Sequence, residues 1–269
     1  LALLVLATAA GLHATAVHVD HGIRPGSAAE AEVVAAAAER FGAAFRSERV
    51  TVEPGPNLEA RARAARYGVL PAEVCTGHTA DDQAETLLLN LLRGAGVDGL
   101  AGIRDDGRRP LLGLRRAETA ALCAAHGLDP VDDPSNRDPA HLRNRVRHEL
   151  LPLVDDLAGR DVAAVLARQA TLLADDADLL DALAVELDPT HARALAAAPA
   201  PLARRALRVW LRPLCEGHPP TAAETERVLA VARGEHVATE VRGRRIARTG
   251  QVLRIDGSPP EFGHDAAHP

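Results

Sequence analysis

Strand-like and helix-like segments alternate through the first hundred residues, and this alternation restricts the fold more than any other feature. Two runs, residues 13–20 and 45–52, have the composition of strands. An Ala-rich segment from Ser27 to Phe41 and an Arg-bearing segment that begins at Asn57 predict helices. Because strands that alternate with helices of this length form βαβ units, the sequence predicts an α/β domain with a mainly parallel sheet.

The last third of the chain has a different pattern. Helical periodicity is followed over residues 236–255 by alternating polar and apolar residues, with Gly243 and Gly250 at turn positions, which predicts a small antiparallel sheet. We therefore expect a second, smaller helical α+β domain. The expected divisions are 1–153 for the first domain, 154–257 for an acidic connector helix and the second domain, and 258–269 for a disordered tail.

The stretch from Gly77 to Leu100 contains the most informative chemistry. The run 73–76 before it predicts a buried strand, and Thr79 with Asp82 forms a carboxylate variant of the capping box, which predicts the start of a helix. Leucines at helical spacing follow, and they predict an apolar face. The predicted apolar positions are Leu87, Leu88, Leu91 and Leu92.

Three carboxylates and a histidine lie together at the start of this helix. His78, Asp82 and Glu85 are separated by intervals that bring them to one face, and Asp81 is adjacent to them. Acidic residues in a first helical turn also stabilise the helix dipole without any further role. Like charges this close repel each other, however, so the sequence favours a functional site over a simple cap.

Charge and cysteine content exclude several classes of protein. The net charge is −6, and all 31 basic residues are arginine. Arginine is concentrated after residue 200, which predicts a basic face in the C-terminal third. Three dispersed cysteines indicate neither a disulfide framework nor a zinc site, so we expect a reducing cytoplasm. The apolar start of the chain is too short to span a membrane, and we interpret it as part of a buried helix that ends at Gly11.

Four segments together resemble a known family. They are HVDHGIR at His18, GHTADDQAETLLLNLLRG at Gly77, RPLL at Arg109, and DPSN with RNRVRHELLP ending at Pro152. In order and spacing they are similar to the tRNA(Ile)-lysidine synthase family of the PP-loop ATP pyrophosphatase superfamily, whose fold is adenine nucleotide alpha hydrolase-like. The resemblance is close over about residues 1–155. The rest of the chain shares only its general character with the family, a helical domain with an Arg-rich end.

The resemblance implies a ligase that forms a C–N bond. In that family ATP adenylates C2 of the wobble cytidine of tRNA(Ile) with a CAU anticodon, and the ε-amine of free L-lysine then displaces AMP to form lysidine. Mg²⁺ would be bound through ATP. A homodimer is a candidate assembly, and no membrane partner is implied.

The resemblance also implies roles for individual residues. Asp82 and Glu85 would bind and orient lysine, with Asp81 beside them, and His78 would lie near the activated base or the phosphates. Arg143, Asn144 and Arg147 would neutralise phosphate charge during adenylation. The alternative for these arginines is surface salt bridging with Glu149 and its neighbours.

Further candidates concern ATP and tRNA. By the resemblance, the ATP candidates are His18, Asp20, His21 and Arg24, and no separate metal site is expected. Basic side chains would contact tRNA phosphates, with solvated surface as the alternative for each. The tRNA candidates are Arg93, Arg204, Arg205, Arg208, Arg212, Arg242, Arg244, Arg245 and Arg248.

One element of the superfamily pattern is missing. Its members carry an SGGxDS loop whose backbone N–H groups hold the pyrophosphate, and this sequence does not contain it. Because a run like LALL follows that loop in the family, we expect Leu1 to lie within the first helix, after a missing strand and loop. A chain of this extent is expected to bind ATP poorly and not to catalyse the reaction.

Two alternative functions remain open at this point. One is another PP-loop enzyme that modifies tRNA; the dispersed cysteines count against the thiolases that use an iron–sulfur cluster. The other is a non-catalytic tRNA-binding protein without the phosphate loop.

Overall fold

The computed structural model describes residues 1–20, 27–51, 55, 58–131, 134–215 and 218–256. The chain forms two compact units, Leu1–Ala174 and Asp175–Pro269. The expected domain boundary at residue 153 remains a prediction. The predicted tail at 258–269 lies outside the described residues, as does the predicted helix cap Asn57.

The first unit combines helices with a parallel pair of strands. β1 and β2 pair in parallel from Thr15 opposite Ala44 to Asp20 opposite Arg49, which confirms the predicted parallel sheet. The elements up to the unit boundary are α1 (Ala2–Ala9), β1 (Thr15–Asp20), α2 (Ser27–Arg40), β2 (Ala44–Arg49), α3 (Leu58–Val69), α4 (Ala80–Leu92), α5 (Val97–Leu100), α6 (Arg116–Ala125), α7 (Leu142–Arg145), α8 (Leu151–Ala158) and α9 (Ala163–Val185). The unit boundary falls within α9.

The predicted strand before α4 is absent, so that prediction is wrong. Residues 73–76 have no regular structure, and Glu73 and Cys75 are exposed. The Thr76 amide donates to the Arg108 carbonyl at 3.0 Å, but residue 108 lies in a loop. A strand requires a neighbouring strand to complete its hydrogen bonds, and the described part of this unit supplies none here.

Helix α4 is fixed by its cap and by its buried face. Ala84, Leu88 and Leu89 pack in one core cluster with three buried apolar residues from later in the chain, Val146, Leu151 and Ala163. Leu87 is also buried, whereas Leu91 and Leu92 are 54% and 60% exposed. The predicted apolar face therefore holds only for the first turns, and those turns carry the carboxylates.

The segment from residue 142 to residue 158 is a helix with an irregular middle. A π-helical turn, Val146–Leu150, separates α7 from α8. Pro152 follows at the start of α8. Its ring cannot donate to the carbonyl four residues earlier and collides with it, which favours a locally wider turn.

The second unit confirms the predicted small antiparallel sheet. Its elements are α10 (Ala192–Ala197), α11 (Ala200–Leu211), α12 (Ala222–Arg233), β3 (Ala238–Val241), β4 (Arg244–Thr249) and β5 (Val252–Ile255). The sheet order is β3-β4-β5, antiparallel throughout. Arg242 and Gly243 both have positive φ, 51° and 75°, as a two-residue hairpin turn requires.

Within the described part of the chain, no helix has both the length and the apolar character that a membrane span requires.

Candidate active site

Three helix starts meet around the carboxylates of α4. Asp81, Asp82 and Glu85 project from α4 towards guanidinium groups from the start of α6 and from α7 with its π turn. The arginines are Arg115, Arg116, Arg143 and Arg147. We call these seven residues the carboxylate–arginine cluster.

Glu85 is the buried centre of this cluster, with 0% of its surface exposed. Oε1 accepts hydrogen bonds from Arg116 at 2.8 Å and from Arg147 at 2.7 Å. Oε2 accepts from Arg143 at 2.8 Å and from Arg147 at 3.0 Å. Burial alone would raise the pKa of Glu85, but Arg147, Arg116 and Arg143 together hold it below its ordinary value. Glu85 is therefore ionised near neutral pH.

Asp82 has one well-bonded and one loosely bonded oxygen. Oδ2 accepts from the amide and the hydroxyl of Thr79, at 2.9 and 2.8 Å. Oδ1 has longer contacts, 3.2 Å to both Arg116 and Arg143 and 3.8 Å to Arg147. Burial by itself would raise the pKa of Asp82. The hydrogen bonds from Thr79 and the charges of the arginines lower this pKa by more than burial raises it, so the net shift is downward.

Asp81 connects α4 to the start of α6. Its carboxylate accepts from Arg115 Nε at 3.1 Å, from Arg115 Nη2 at 2.9 Å and from the Arg116 backbone amide at 2.7 Å. Arg115 also forms an ion pair with Asp161. Burial would raise the pKa of Asp81, and these hydrogen bonds more than offset it. Asp81 thus positions α6, which carries Arg116, against the other two carboxylates.

Arg143 and Arg147 do not pair with Glu149. Arg145 occupies that carboxylate instead, at 3.1 Å. The alternative of surface salt bridging between these two arginines and Glu149 therefore does not hold, because their side chains bind Glu85 of α4. Asn144 is buried, and its Nδ2 donates to the Asp138 carbonyl at 2.8 Å, which fixes the loop before α7.

Two arginines keep donors available. In the side-chain contacts of the described residues, Arg116 uses only Nη2, and Arg143 uses Nε and Nη2. Their side chains are 38% and 33% exposed. The remaining N–H groups can therefore reach a ligand without breaking the cluster.

His78 precedes α4 and is not part of it. Its Nδ1 lies 2.6 Å from the Thr76 hydroxyl. Burial lowers the pKa of His78; Asp82 opposes this shift, while Arg109, Arg63 and Arg143 reinforce it. The imidazole is therefore neutral near pH 7 and can act as a proton acceptor or as a hydrogen-bonding group.

The nucleotide candidates are only partly described. His18 and Asp20 lie on β1, and the His18 Nε2 is buried without a hydrogen-bond partner. Asp20 Oδ2 is 3.8 Å from Arg49 Nε. His21 and Arg24 lie outside the described residues. Among those described, no group of three His, Cys, Asp or Glu side chains is arranged to hold a metal ion.

The C-terminal arginines have different environments. Arg204 pairs with Glu226, Arg242 with Glu224 and Arg245 with Asp256. Arg244 donates to the Asp256 carbonyl at 2.7 Å, and half-buried Arg248 donates to the Ala232 carbonyl at 2.9 Å. Arg93, at the end of α4, and Arg212 are exposed, and Arg208 is half-buried.

Arg205 does not have the surface position that a phosphate contact requires. It is only 8% exposed and pairs with Asp181 at 3.1 Å. The expectation that it lies with the surface arginines of α11 is therefore corrected. Its position follows the apolar face of the helix, where Ala206 and Leu207 are also buried.

Arg115 and Arg116 were missed by reasoning from the sequence. One signal was available: two cations at the start of a helix oppose the helix dipole, so they require compensation from elsewhere. That compensation comes from α4.

The chain as a whole is similar to a known domain family and to several curated proteins. The PP-loop domain family matches residues 1–154. The tRNA(Ile)-lysidine synthase of Nocardia farcinica is 46% identical over 227 residues, 78% of this chain and 71% of that protein. Those of Mycobacterium leprae and Thermobifida fusca are 44% and 42% identical, over 78% and 87% of this chain and 71% and 76% of their own lengths.

Proposed function

This chain belongs to the tRNA(Ile)-lysidine synthase family of PP-loop proteins, and on that premise we propose that it joins lysine to C2 of the wobble cytidine in tRNA(Ile) with a CAU anticodon. The cytidine C2 oxygen displaces pyrophosphate from ATP, which gives an adenylated cytidine. The lysine ε-amine then adds at C2 and loses a proton, and AMP departs with the oxygen.

The observation that carries this proposal is the carboxylate–arginine cluster. Lysine must bind as an ammonium ion and then lose a proton before it can attack, while phosphate charge develops on the other reactant. Ionised carboxylates bind the first group, and guanidinium groups with spare donors stabilise the second. The cluster contains both kinds of group within one network.

Within the cluster, Asp82 is the best-placed ligand for the lysine ammonium. Its Oδ1 contacts at 3.2 Å and beyond are long for charged hydrogen bonds, so an ammonium ion can compete for this oxygen. Both oxygens of Glu85, in contrast, already have short bonds to arginine. Glu85 then supports lysine binding mainly by holding the arginines.

Arg116 and Arg143 are the donors proposed for phosphate charge. Each is anchored on Asp82 and Glu85 by one edge and partly exposed on another. Arg147 is more deeply held, by two hydrogen bonds to Glu85. His78 lies beside this network as a neutral imidazole, suited to accept a proton as the amine adds.

Mg²⁺ is proposed to arrive with ATP. Every carboxylate oxygen of the cluster already accepts a hydrogen bond from a guanidinium, amide or hydroxyl group, so the donor set does not favour a cation held by the protein alone. His18 and Asp20 remain the described candidates for contact with the adenosine.

The tRNA is proposed to contact the exposed arginines of the second unit, together with Arg93. Arg204, Arg212, Arg242, Arg244 and Arg245 all present exposed side chains. Arg205 is left out because it is buried. The cytoplasm is the proposed location, since tRNA is modified there.

The test is transfer of labelled lysine to tRNA. The natural full-length protein would be incubated with ATP, Mg²⁺ and a tRNA(Ile) transcript with a CAU anticodon, and the digested nucleosides analysed by mass spectrometry. The proposal predicts a lysine–cytidine adduct that depends on ATP. Sulfur incorporation, or tRNA binding with no ATP consumption, would instead support one of the alternative functions.

A further inference from the structure

Arg115 joins two carboxylates that come from different parts of the chain. Its Nε and Nη2 donate to Asp81 of α4 at 3.1 and 2.9 Å, and its Nη1 forms an ion pair with Asp161. Asp161 lies between α8 and α9, where its Oδ1 accepts from the Ala163 amide at 3.0 Å. Because a guanidinium group is planar and rigid, anions on two of its edges fix both its position and its plane. The start of α9 is thereby connected to the helix that carries the carboxylates.

The backbone beside Arg115 is held at the same place. The Arg116 amide donates to Asp81 Oδ2 at 2.7 Å, and the Ala80 amide donates to the Leu114 carbonyl at 2.8 Å. The start of α6 is therefore bound to the start of α4 by main-chain and side-chain hydrogen bonds together. Because Asp81 accepts from both the Arg115 side chain and the Arg116 amide, a change in that side chain shifts the carboxylate that holds the amide.

Arg116 is the residue whose orientation depends on this junction. Its Nη2 contacts Glu85 at 2.8 Å and Asp82 at 3.2 Å, and its other side-chain donors are those proposed above for phosphate charge. A guanidinium group bound through one nitrogen can pivot about it, so the backbone of Arg116 must set the direction of the remaining N–H groups. Donors that stabilise a transition state have to point in advance to where charge develops. Their direction therefore depends on Arg115 and, through it, on Asp161.

We propose that Asp161 is a positioning residue for the reaction: through Arg115 and Asp81 it sets the direction of the free Arg116 donors. The inference rests on the proposed function, which gives those donors a phosphate ligand. The Asp161 side chain is 50% exposed, and that of Arg115 is 29% exposed. A pair this open to solvent contributes little to stability, so its loss should change the geometry of the site more than it changes folding. Neither Asp161 nor Arg115 belongs to the set predicted from the sequence.

The experiment compares Asp161→Asn with Asp155→Asn in the full-length protein. Asparagine at position 161 keeps an oxygen for the Ala163 amide and removes the charge that binds Arg115. Asp155 is the matched control, because its Oδ1 accepts from the Val162 amide at 2.8 Å, one residue before the amide that Asp161 holds. Both variants lose one negative charge beside the start of α9, but only the first loses the ion pair.

Asp161→Asn is expected to lower kcat for lysine transfer about tenfold, because a small misplacement of a catalytic group is costly. The KM for lysine and the dissociation constant for tRNA should stay near their wild-type values. Asp161→Glu restores the charge and should recover most of kcat, whereas Asp155→Asn should keep the wild-type kcat throughout. A wild-type kcat in Asp161→Asn, or an equal loss in Asp155→Asn, would overturn the proposal.

A double variant shows whether the effect passes through Arg116. If it does, Asp161→Asn lowers kcat little further once Arg116 has been replaced by glutamine, because residues that act through one another are not additive. An equal factor in the wild-type and Arg116→Gln backgrounds would overturn the proposal, since Asp161 would then act by another route.

A readout without activity separates this inference from the proposed function. The guanidinium ¹⁵N NMR signals of Arg116, identified by their absence from Arg116→Gln, should move in Asp161→Asn and stay in place in Asp155→Asn. If they do so in a protein that transfers no lysine, the positioning by Asp161 stands and only the proposed reaction is overturned. If the protein transfers lysine while these signals are the same in the wild type and both variants, the proposed reaction stands and the positioning is overturned.

Discussion

Arg147 donates two parallel hydrogen bonds to Glu85, from Nε to Oε1 at 2.7 Å and from Nη2 to Oε2 at 3.0 Å, and none of the Glu85 side chain is exposed. This bidentate ion pair connects α4 to the π turn that follows α7. Because Arg116 and Arg143 bind the same carboxylate, one buried anion fixes three cations contributed by two other parts of the chain.

Replacing Glu85 with glutamine is expected to destabilise the fold. The change leaves three guanidinium groups without their shared counter-charge, and breaking a buried ion pair costs about 3 kcal/mol. Urea denaturation measures the free energy of unfolding. Glu149→Gln is the matched control, because its pair with Arg145 is exposed and its loss should change little. Equal effects of the two substitutions would contradict the central position of Glu85.

The same network predicts how stability depends on pH. The pKa values of Asp81, Asp82 and Glu85 all lie below their ordinary values of 3.8, 3.8 and 4.5 in the folded protein. A lowered folded pKa adds stability that is complete above the ordinary pKa and disappears as pH falls towards the folded one. Thermal unfolding should therefore show a loss of stability below about pH 5. Glu85→Gln should flatten this acid limb, and an unchanged limb would indicate that other groups govern it.

Much of this site was predictable because its signals are local. The capping residues Thr79 and Asp82 and the first apolar turns of α4 are determined by neighbours within one or two turns. The arginine partners have no local signal: Arg147 was predicted only through the family resemblance and Arg116 was not predicted, since only the tertiary fold brings them to Glu85. The residue types had suggested repulsion among carboxylates, and the structure resolves it with cations from outside the motif.

The wrong prediction of a strand at residues 73–76 arose because the local sequence was informative about composition but not about pairing. Its composition is strand-like, but a strand exists only when another strand pairs with it, and that information is not local. The irregular π turn before Pro152 was likewise hidden within a region that has helical periodicity.

The N-cap of α4 allows a test of how Asp82 is oriented. Thr79→Val removes the hydroxyl that binds Asp82 Oδ2 and should lower stability by about 1 kcal/mol. Thr221→Val is matched, because the Thr221 hydroxyl binds Glu224 in the same way at the start of α12. Both variants should lose stability, but only Thr79→Val should raise the KM for lysine. An equal KM in the two variants would show that the orientation of Asp82 does not matter.

Gly102 tests the packing beside α4. Its φ is +65°, and a Cβ atom there would lie 2.5 Å from Gln83 Oε1, which accepts from the Ile103 amide. Gly107 has a similar φ of +78° with nothing within 4 Å. Both alanine variants bear the backbone strain, whereas Gly102→Ala adds overpacking of about 1–3 kcal/mol. If Gly102→Ala and Gly107→Ala had equal free energies of unfolding, the Gln83 side chain would have moved away from the new Cβ atom at no energetic cost.

The most direct test of the proposed chemistry is the lysine dependence of the Asp82→Asn variant. A charge-assisted hydrogen bond is worth about 1.5–3 kcal/mol, so the KM for lysine should rise roughly ten- to hundredfold, while affinity for tRNA stays within error. Asp156→Asn, an exposed aspartate of α8, is the control. If Asp82→Asn transfers lysine to the tRNA with an unchanged KM, lysine does not bind at this carboxylate, and the account of the site is wrong.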